Sequence, residues 1–400
     1  MPQVTASASR RIGQPDPAVF SGPLATAARA RLDAVAGDLV ELSHAIAADP
    51  ELAYQEVRAV RRCTELLARA GMAVELGAYG LPTAFAARAG SRGPHVVVCA
   101  EYDALPGVGH ACGHNIIAAS GVGAGIALGE VAQEAGLRVT VLGTPAEESG
   151  GGKVDLIRAG ALEGVDFAMM VHPAPFDVHA SRGLAIEEWG VVYSGHAAHA
   201  SYAPQMGRNA LDGVVAGYTA LAMLRQHLAP RQQVHGVITE GGDAPNVVPE
   251  RAAAMYYLRA LDGAGLADLR TRVRDCLEGA AQATGTSVEI TVVGNSYDPV
   301  EPHPGLVAAF GAACEAIGRP YTPDPAGEEI GGSTDFGNIS QLVPAVHADL
   351  AVHSWPAVNH QHEFAAHCVT PVGDRTMLEG AAALALTALA VAADPSIIST

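Results

Sequence analysis

Apolar positions recur with helical spacing from Pro23 to Ala48 and predict a long helix there. It should end at Asp49-Pro50, because the residue before a proline is pushed out of the α region. A second helix is predicted over Val57–Ala70, stopped by Gly71. Short apolar runs follow at Ala73–Leu76, Ala84–Ala87, Val96–Ala100, Arg138–Leu142 and Phe167–Val171, with helix-like stretches among them. Val96–Ala100 is continuously apolar, as in a strand buried on both faces. Such alternation predicts an α/β fold with a mainly parallel sheet and helices on both faces. Past Gly183 the rhythm changes. Strand Glu187–Ser194, helix Asn209–Leu228, strands Val234–Glu240 and Ala252–Arg259, helix Leu266–Ala283 and strand Val288–Val293 give a βαββαβ order, which predicts an inserted ferredoxin-like α+β domain. The Pro-rich stretch Asp298–Pro304 then returns the chain to helix, loop, strand and a final Ala-rich helix. The expected organisation is a flexible N-terminal arm over 1–20, a main domain over 21–184 and 298–400, and the insertion over 185–297.

Composition narrows the function classes. Of the 400 residues 49% are hydrophobic and 16% charged, enough to build a large core and too apolar for wholesale disorder. The formal net charge of −18 argues against binding a nucleic-acid backbone. Two Ala-rich stretches, Ile116–Leu128 and Gly380–Ala393, fall short of the roughly 20 residues a membrane span needs, so buried core helices and no membrane partner are expected. The first residues are polar, without the apolar core of a secretory signal. Six scattered cysteines with no Cys-x-x-Cys pair do not form a disulfide framework, and a cytoplasmic location is expected.

Chemistry concentrates where the predicted strands end. Gly109–Asn115 reads GHACGHN, and in an extended segment Cys112 and His114 point the same way. Thiolate and imidazole suit zinc and related ions; the plainer reading is a buried thiol beside a surface imidazole. Gly143–Gly152 reads GTPAEESGGG directly after the strand Arg138–Leu142. One carboxylate of that pair can bind a metal while the other takes a proton from water, the division of labour that hydrolysis needs. His172 closes the strand Phe167–Val171, Asn359–Phe364 reads NHQHEF, and Ser194–Ser201 in the insertion reads SGHAAHAS. Each signal alone is modest; candidate ligands at the ends of successive strands form a constellation.

These motifs, with HAIAADPELAYQE (His44–Glu56), EYDALPG (Glu101–Gly107), GRNALD (Gly207–Asp212), GGDAPNVVPE (Gly241–Glu250) and GGSTDFGNIS (Gly331–Ser340), resemble the dinuclear metallopeptidase and amidohydrolase family of aminoacylase, carnosinase and carboxypeptidase G. Within it the chain looks most similar to the branch of aminobenzoyl-glutamate hydrolase, indole-acetyl-amino-acid hydrolase and β-alanyl-lysine dipeptidase. The resemblance implies a zinc-peptidase-like catalytic domain and a lid/dimerisation domain, closing on a hinge near Gly183 and Asp298. It implies two divalent ions, Zn2+ ahead of Mn2+, held by Cys112, His114, Glu148, His172 and His360, with His362 and then His367 as rivals for the last place. It makes Glu147 the general base and Asp103 the residue that orients the site, with Glu101 standing where relatives carry a ligand His. His199 matches the lid histidine that reaches the substrate carbonyl, often across a dimer, and Asn246 a lid substrate contact. Arg208 and Arg259 are candidates for holding a substrate carboxylate. Where much of the branch reads CGHD this chain has Asn115, which is expected to remove a carboxylate beside the site.

The expected activity is hydrolysis of the amide bond of a small N-acyl amino acid or dipeptide with a free carboxylate, by a homodimer paired through the lid. Three rivals stand beside it. A Cys112 nucleophile with His110 or His114 as base leaves Glu147, Glu148 and His172 idle. A degenerate-site ligand binder has no use for a base. A structural zinc site favours a closed Cys/His set.

Overall fold

A computed structural model of the chain describes residues 15–323 and 332–399. Residues 1–14 of the expected arm, and Gly331 at the head of the GGSTDFGNIS motif, lie outside the described residues. At the end of the span expected as an arm, Pro17–Ser21 forms a 3-10 turn, capped by Asp16 and anchored by the buried Phe20. An apolar ring with a core to enter outweighs the polar character of its neighbours.

Helices α1 (Pro23–Ala48) and α2 (Val57–Arg69) lead into β1 (Ala73–Leu76), β2 (Phe85–Ala89), β3 (His95–Glu101), α3 (His114–Ala135), β4 (Arg138–Thr144), α4 (Gly152–Arg158) and β5 (Phe167–Ala174). The insertion contains β6 (Ala185–Ser194), α5 (Ala210–Leu224), β7 (Gln233–Glu240), β8 (Arg251–Ala260), α6 (Gly263–Thr284) and β9 (Ser287–Tyr297). Then come α7 (Pro304–Ala316), α8 (Phe336–Ser340), β10 (Ala345–Ala351), α9 (His362–His367) and α10 (Pro371–Ala393). The chain divides into two compact units, the smaller being Gly183–Val300 with Gly332–Gly337.

In the larger unit six strands form one sheet in the order β1-β2-β4-β3-β5-β10. The four from β4 to β10 are parallel, and β2 and β1 add an antiparallel edge. Strand β3 is the switch point: the chain leaves it for β4 on one side and then crosses to β5 on the other. Ligands in such sheets bind outside the carboxyl ends of the strands at that point. Helix α3 follows β3 directly and packs against β2, β3, β4 and β5, with α1 and α10 covering it. Both apolar stretches extend into longer helices than their composition suggests, 22 and 23 residues for α3 and α10, long and apolar enough to cross a bilayer by length and composition. Yet 89% and 72% of their most apolar windows are buried inside the fold, so they serve as core helices.

The smaller unit is an antiparallel sheet in the order β7-β8-β6-β9 with α5 and α6 packed against it. Its four strands, numbered along the insertion, lie as 2-3-1-4, the split βαβ arrangement. Alternate residues of β6 enter a core of Trp189, Val191 and Tyr193 against Leu269, Val273 and Leu277 of α6. The buried Glu187 accepts the Trp189 indole N–H at 2.6 Å and a bond from Ser296 Oγ at 2.7 Å, and it pairs with Arg270. It thereby ties β6, β9 and α6 together.

Candidate metal centre

The carboxyl ends of β3, β4 and β5 carry the polar residues of the larger unit's centre. Glu101 ends β3, and Tyr102 and Asp103 follow, all buried. Gly113 caps α3 with a left-handed φ of 79°; a Cβ there would stand 2.3 Å from Pro173 Cγ, so only glycine lets His114 open the helix this close to β5. Ala146, with a φ of 60°, turns the chain after β4 into Glu147 and Glu148. The buried Glu56 accepts the N–H groups of Ala146 and Tyr54, both at 2.9 Å, and braces that turn. His360 reaches the centre from a loop pinned at two points. Its own N–H donates to Ala111 O at 2.8 Å, and Asn359 Nδ2 donates to Pro173 O at 3.2 Å.

Hydrogen bonding decides which ring nitrogens are free to bind. His114 Nδ1 stands 3.0 Å from Asp103 Oδ1, and a carboxylate can only accept, so Nδ1 carries a proton and Nε2 is the ring nitrogen left to bind an ion. The same holds for His172, whose Nδ1 donates to Pro173 O at 2.9 Å while Nε2 lies 3.4 Å from Cys112 Sγ. Asp103 also accepts the Glu148 N–H at 3.0 Å, so one carboxylate orients both. Around His114 Nε2 stand Glu101 at 3.5 Å, Glu148 at 3.7 Å and Glu147 at 3.8 Å, all too far for a good hydrogen bond. His114 Nε2 and Glu148 Oε1 are buried without hydrogen-bond partners. Among the described residues, three groups have ligand atoms within 4.8 Å of one another: Cys112 with His114 and His172, Cys112 with Glu148 and His360, and Glu101 with His114 and Glu147. Thiolate, imidazole and carboxylate donors around unpartnered buried atoms fit divalent ions, and the thiol favours zinc.

Burial and neighbouring charges shift these groups strongly. Burial pushes the Cys112 thiol well above its ordinary value and Glu148 upward. Burial and the neighbouring His347, whose ring stacks on it at 5.5 Å, bring His172 down to about 3. Burial would also depress His114, but Asp103 outweighs it and holds the imidazole well above its usual range. Burial works to raise Glu101 and Asp103, yet both stay below the ordinary carboxylate range. Lys153 and His114 hold down the first, and His114 the second.

The sequence model of peptidase family M20/M25/M40 matches residues 97–390. This chain belongs to that family. Over 384 residues it is 40% identical to the mouse Xaa-Arg dipeptidase, covering 92% of this chain and 89% of that protein. The human Xaa-Arg dipeptidase is 39% identical over 388 residues, with coverages of 92% and 88%. One of the p-aminobenzoyl-glutamate hydrolase subunits of Escherichia coli K12 is 34% identical over 261 residues, 60% of this chain and 54% of that one. Among solved structures the fold is shared with an aminobenzoyl-glutamate utilization protein of Klebsiella pneumoniae (TM-score 0.70, 19% identity, 90% of this chain and 96% of that one). It is shared also with a dinuclear metal-binding M20 peptidase of Bacillus subtilis (TM-score 0.65, 21% identity, coverages of 88% and 98%). Family membership and the metal-competent groups together make this M20 chain a metal-dependent hydrolase acting on amide bonds of small substrates.

Cys112, His114, Glu147, Glu148, His172 and His360 thus come together in the larger unit with Asp103 behind them. His114 is fully buried, which removes the surface-imidazole reading. Asn115 is buried, and its Nδ2 donates to Ser43 Oγ at 2.8 Å and to Cys368 O at 3.3 Å, so its amide donor is used in packing. His199, Asn246, Arg208 and Arg259 belong to the smaller unit. There His199 bridges to Val247, and Ala200 N–H bonds to Asn246 O, which brings the His199 and Asn246 segments side by side. The N–H groups of Ser201 and Tyr202 point at His199 Nδ1 from 3.3 and 3.2 Å, leaving the ring proton on Nε2. Arg208 is exposed, with Nη1 on Gly207 O at 2.7 Å, and the half-buried Arg259 donates to Ser333 Oγ at 2.8 Å. Sequence reasoning missed Lys153, buried and 2.6 Å from Glu101 Oε1, as well as His347 and the brace from Glu56. The lysine directly follows the triple glycine, but nothing in a lone helical Lys signals burial.

Proposed function

We propose that the chain is a dipeptidase that releases a basic amino acid from the carboxyl end of a small dipeptide. Similarity to the Xaa-Arg dipeptidases across 92% of the chain supports the substrate class. The net charge of −18 supports it too, since such a field attracts a cationic dipeptide and repels a doubly anionic aminobenzoyl-glutamate. The observation that carries the hydrolytic reading is the adjacent pair Glu147 and Glu148 set around the unpartnered His114 Nε2.

In this reading Cys112, His114, Glu148, His172 and His360 would hold two divalent ions, Zn2+ before Mn2+. When bound, such ions polarise the scissile carbonyl and acidify a water at neutral pH. Glu147, 3.8 Å from His114 Nε2 and so beside the residues that would hold the ions, is the base that would take a proton from the attacking water and return it to the leaving amine. Asp103 fixes the His114 tautomer and the Glu148 backbone. His199, with its proton on Nε2, donates to the developing oxyanion, a contribution of roughly 3–4 kcal/mol by analogy with other donors of that kind. Asn246 and the guanidinium groups of Arg208 and Arg259 bind the substrate, the latter two its free carboxylate. The expected domain roles are retained: 21–184 with 298–400 carries catalysis, and 185–297 serves as lid and dimer surface. We place the protein in a reducing cytoplasm, which its six free cysteines suit.

The test is a hydrolysis panel on zinc- or manganese-loaded protein: β-alanyl and α-aminoacyl dipeptides ending in Arg or Lys, N-acetyl amino acids and aminobenzoyl-glutamate. Release of free Arg or Lys at the highest kcat/KM is the expected result. Preference for aminobenzoyl-glutamate, or no turnover on any member, overturns the proposal.

A further inference from the structure

Lys153 has no place in the chemistry described so far, and its position is costly. It lies in the first turn of α4, where the helix already presents its positive end. It is 1% exposed, and an ammonium is expensive to bury unless it is paired. It pairs with Glu101, whose Oε1 lies 2.6 Å from Nζ and whose Oε2 faces His114 Nε2 at 3.5 Å. One carboxylate therefore touches the ammonium with one oxygen and faces the metal-competent group with the other. The glycine before the lysine makes the approach possible: a Cβ on Gly152 would stand 2.0 Å from Pro145 O.

Charge counting gives the pair a purpose. The metal-competent groups contain Glu101, Glu147, Glu148 and Cys112, and Asp103 stands behind His114. With the thiol deprotonated by metal, these are five negative charges in a buried space. Two divalent ions cancel four. We propose that Lys153 is a built-in cation of the metal centre, neutralising the fifth charge through Glu101 and so setting how tightly the second ion is held. The inference rests on the dinuclear reading above and adds to it a residue that tunes metal affinity from outside the ligand set.

A charge-setting role and a purely structural one predict opposite signs. Zn2+ and Mn2+ affinities are measured by competition with a chromophoric chelator, for the wild type, Lys153→Met, Glu101→Gln and the double variant. Losing the ammonium should tighten the weaker ion by about ten-fold or more, because a repelling charge is gone. Losing the carboxylate should weaken it by roughly 10–100-fold. The double variant, which removes both charges, should return close to the wild type and also serves if Lys153→Met fails to fold. Weaker binding in both single variants, or a double variant weaker than either, identifies a packing pair and overturns the inference. A wild type that binds fewer than two ions overturns the dinuclear reading instead, and is read before any variant.

Discussion

His114 shows how single residues set the chemistry. Its Nδ1 proton is committed to Asp103, which leaves Nε2 as the nitrogen that faces three carboxylates. Asp103→Asn keeps the size but offers an amide that can present its own N–H to Nδ1. Metal affinity should fall roughly 10–100-fold, as for other partners of metal-bound histidines, and chelator competition measures it. Glu147→Gln should separate binding from chemistry: ions stay bound by elemental analysis while kcat drops about 10²–10⁴-fold. Residues that announce themselves by type and motif, such as Cys112 and His172, were legible in the sequence. Lys153 and the role of Asn115 were not. A lysine in a helix ordinarily faces solvent, and whether Asn115 points at the centre or at Ser43 depends on how α1 packs on α3, which no local pattern encodes.

At the scale of elements, the apolar pattern locates most strands and ends them early. Val96–Ala100 extends to Glu101, Arg138–Leu142 to Thr144, and Phe167–Val171 to Ala174, past His172. In each case the ladder continues where the side chains turn polar, because backbone pairing does not require apolar residues and the centre needs polar ones at that end. In the insertion the pattern starts a helix at Asn209, but that side chain accepts the Leu211 N–H at 2.9 Å and caps α5 from outside it. Glu187 makes a prediction about this unit. Burial raises its pKa, but bonds from Trp189, Ser296 and Arg270 outweigh that and hold the carboxyl below its ordinary range. A carboxylate lowered in the folded state contributes stability above its unfolded pKa and loses it as pH falls through the folded value. Glu187→Gln should therefore destabilise the protein by about 1.5–3 kcal/mol at neutral pH. The deficit should shrink as acid titrates the wild-type carboxylate, a trend that thermal melts across pH will show.

The molecule as a whole joins a parallel sheet, whose strand ends gather the ligands, to an inserted sheet with apolar residues left exposed. Val237, Ile238, Tyr257, Val292 and Val293 of that sheet are exposed, and β7 and β9 form its two edges. We expect this surface to pair two chains. Light scattering should give twice the 40.8 kDa chain mass, and Val237→Asp with Ile238→Asp should return the monomer mass with the larger unit still able to bind metal. The architecture of both units was legible because period-two and period-3.6 patterns are local signals. Which residues share a site depends on the switch point at β3, a property of strand order rather than of any segment. The central claim is that this arrangement holds two divalent ions. Elemental analysis of protein loaded with Zn2+ and freed of excess metal tests it most directly. The account predicts close to two ions per chain in the wild type and a loss in Cys112→Ser, which removes a donor present in two of the metal-competent groups. Protein that retains fewer than two ions per chain after loading would contradict it.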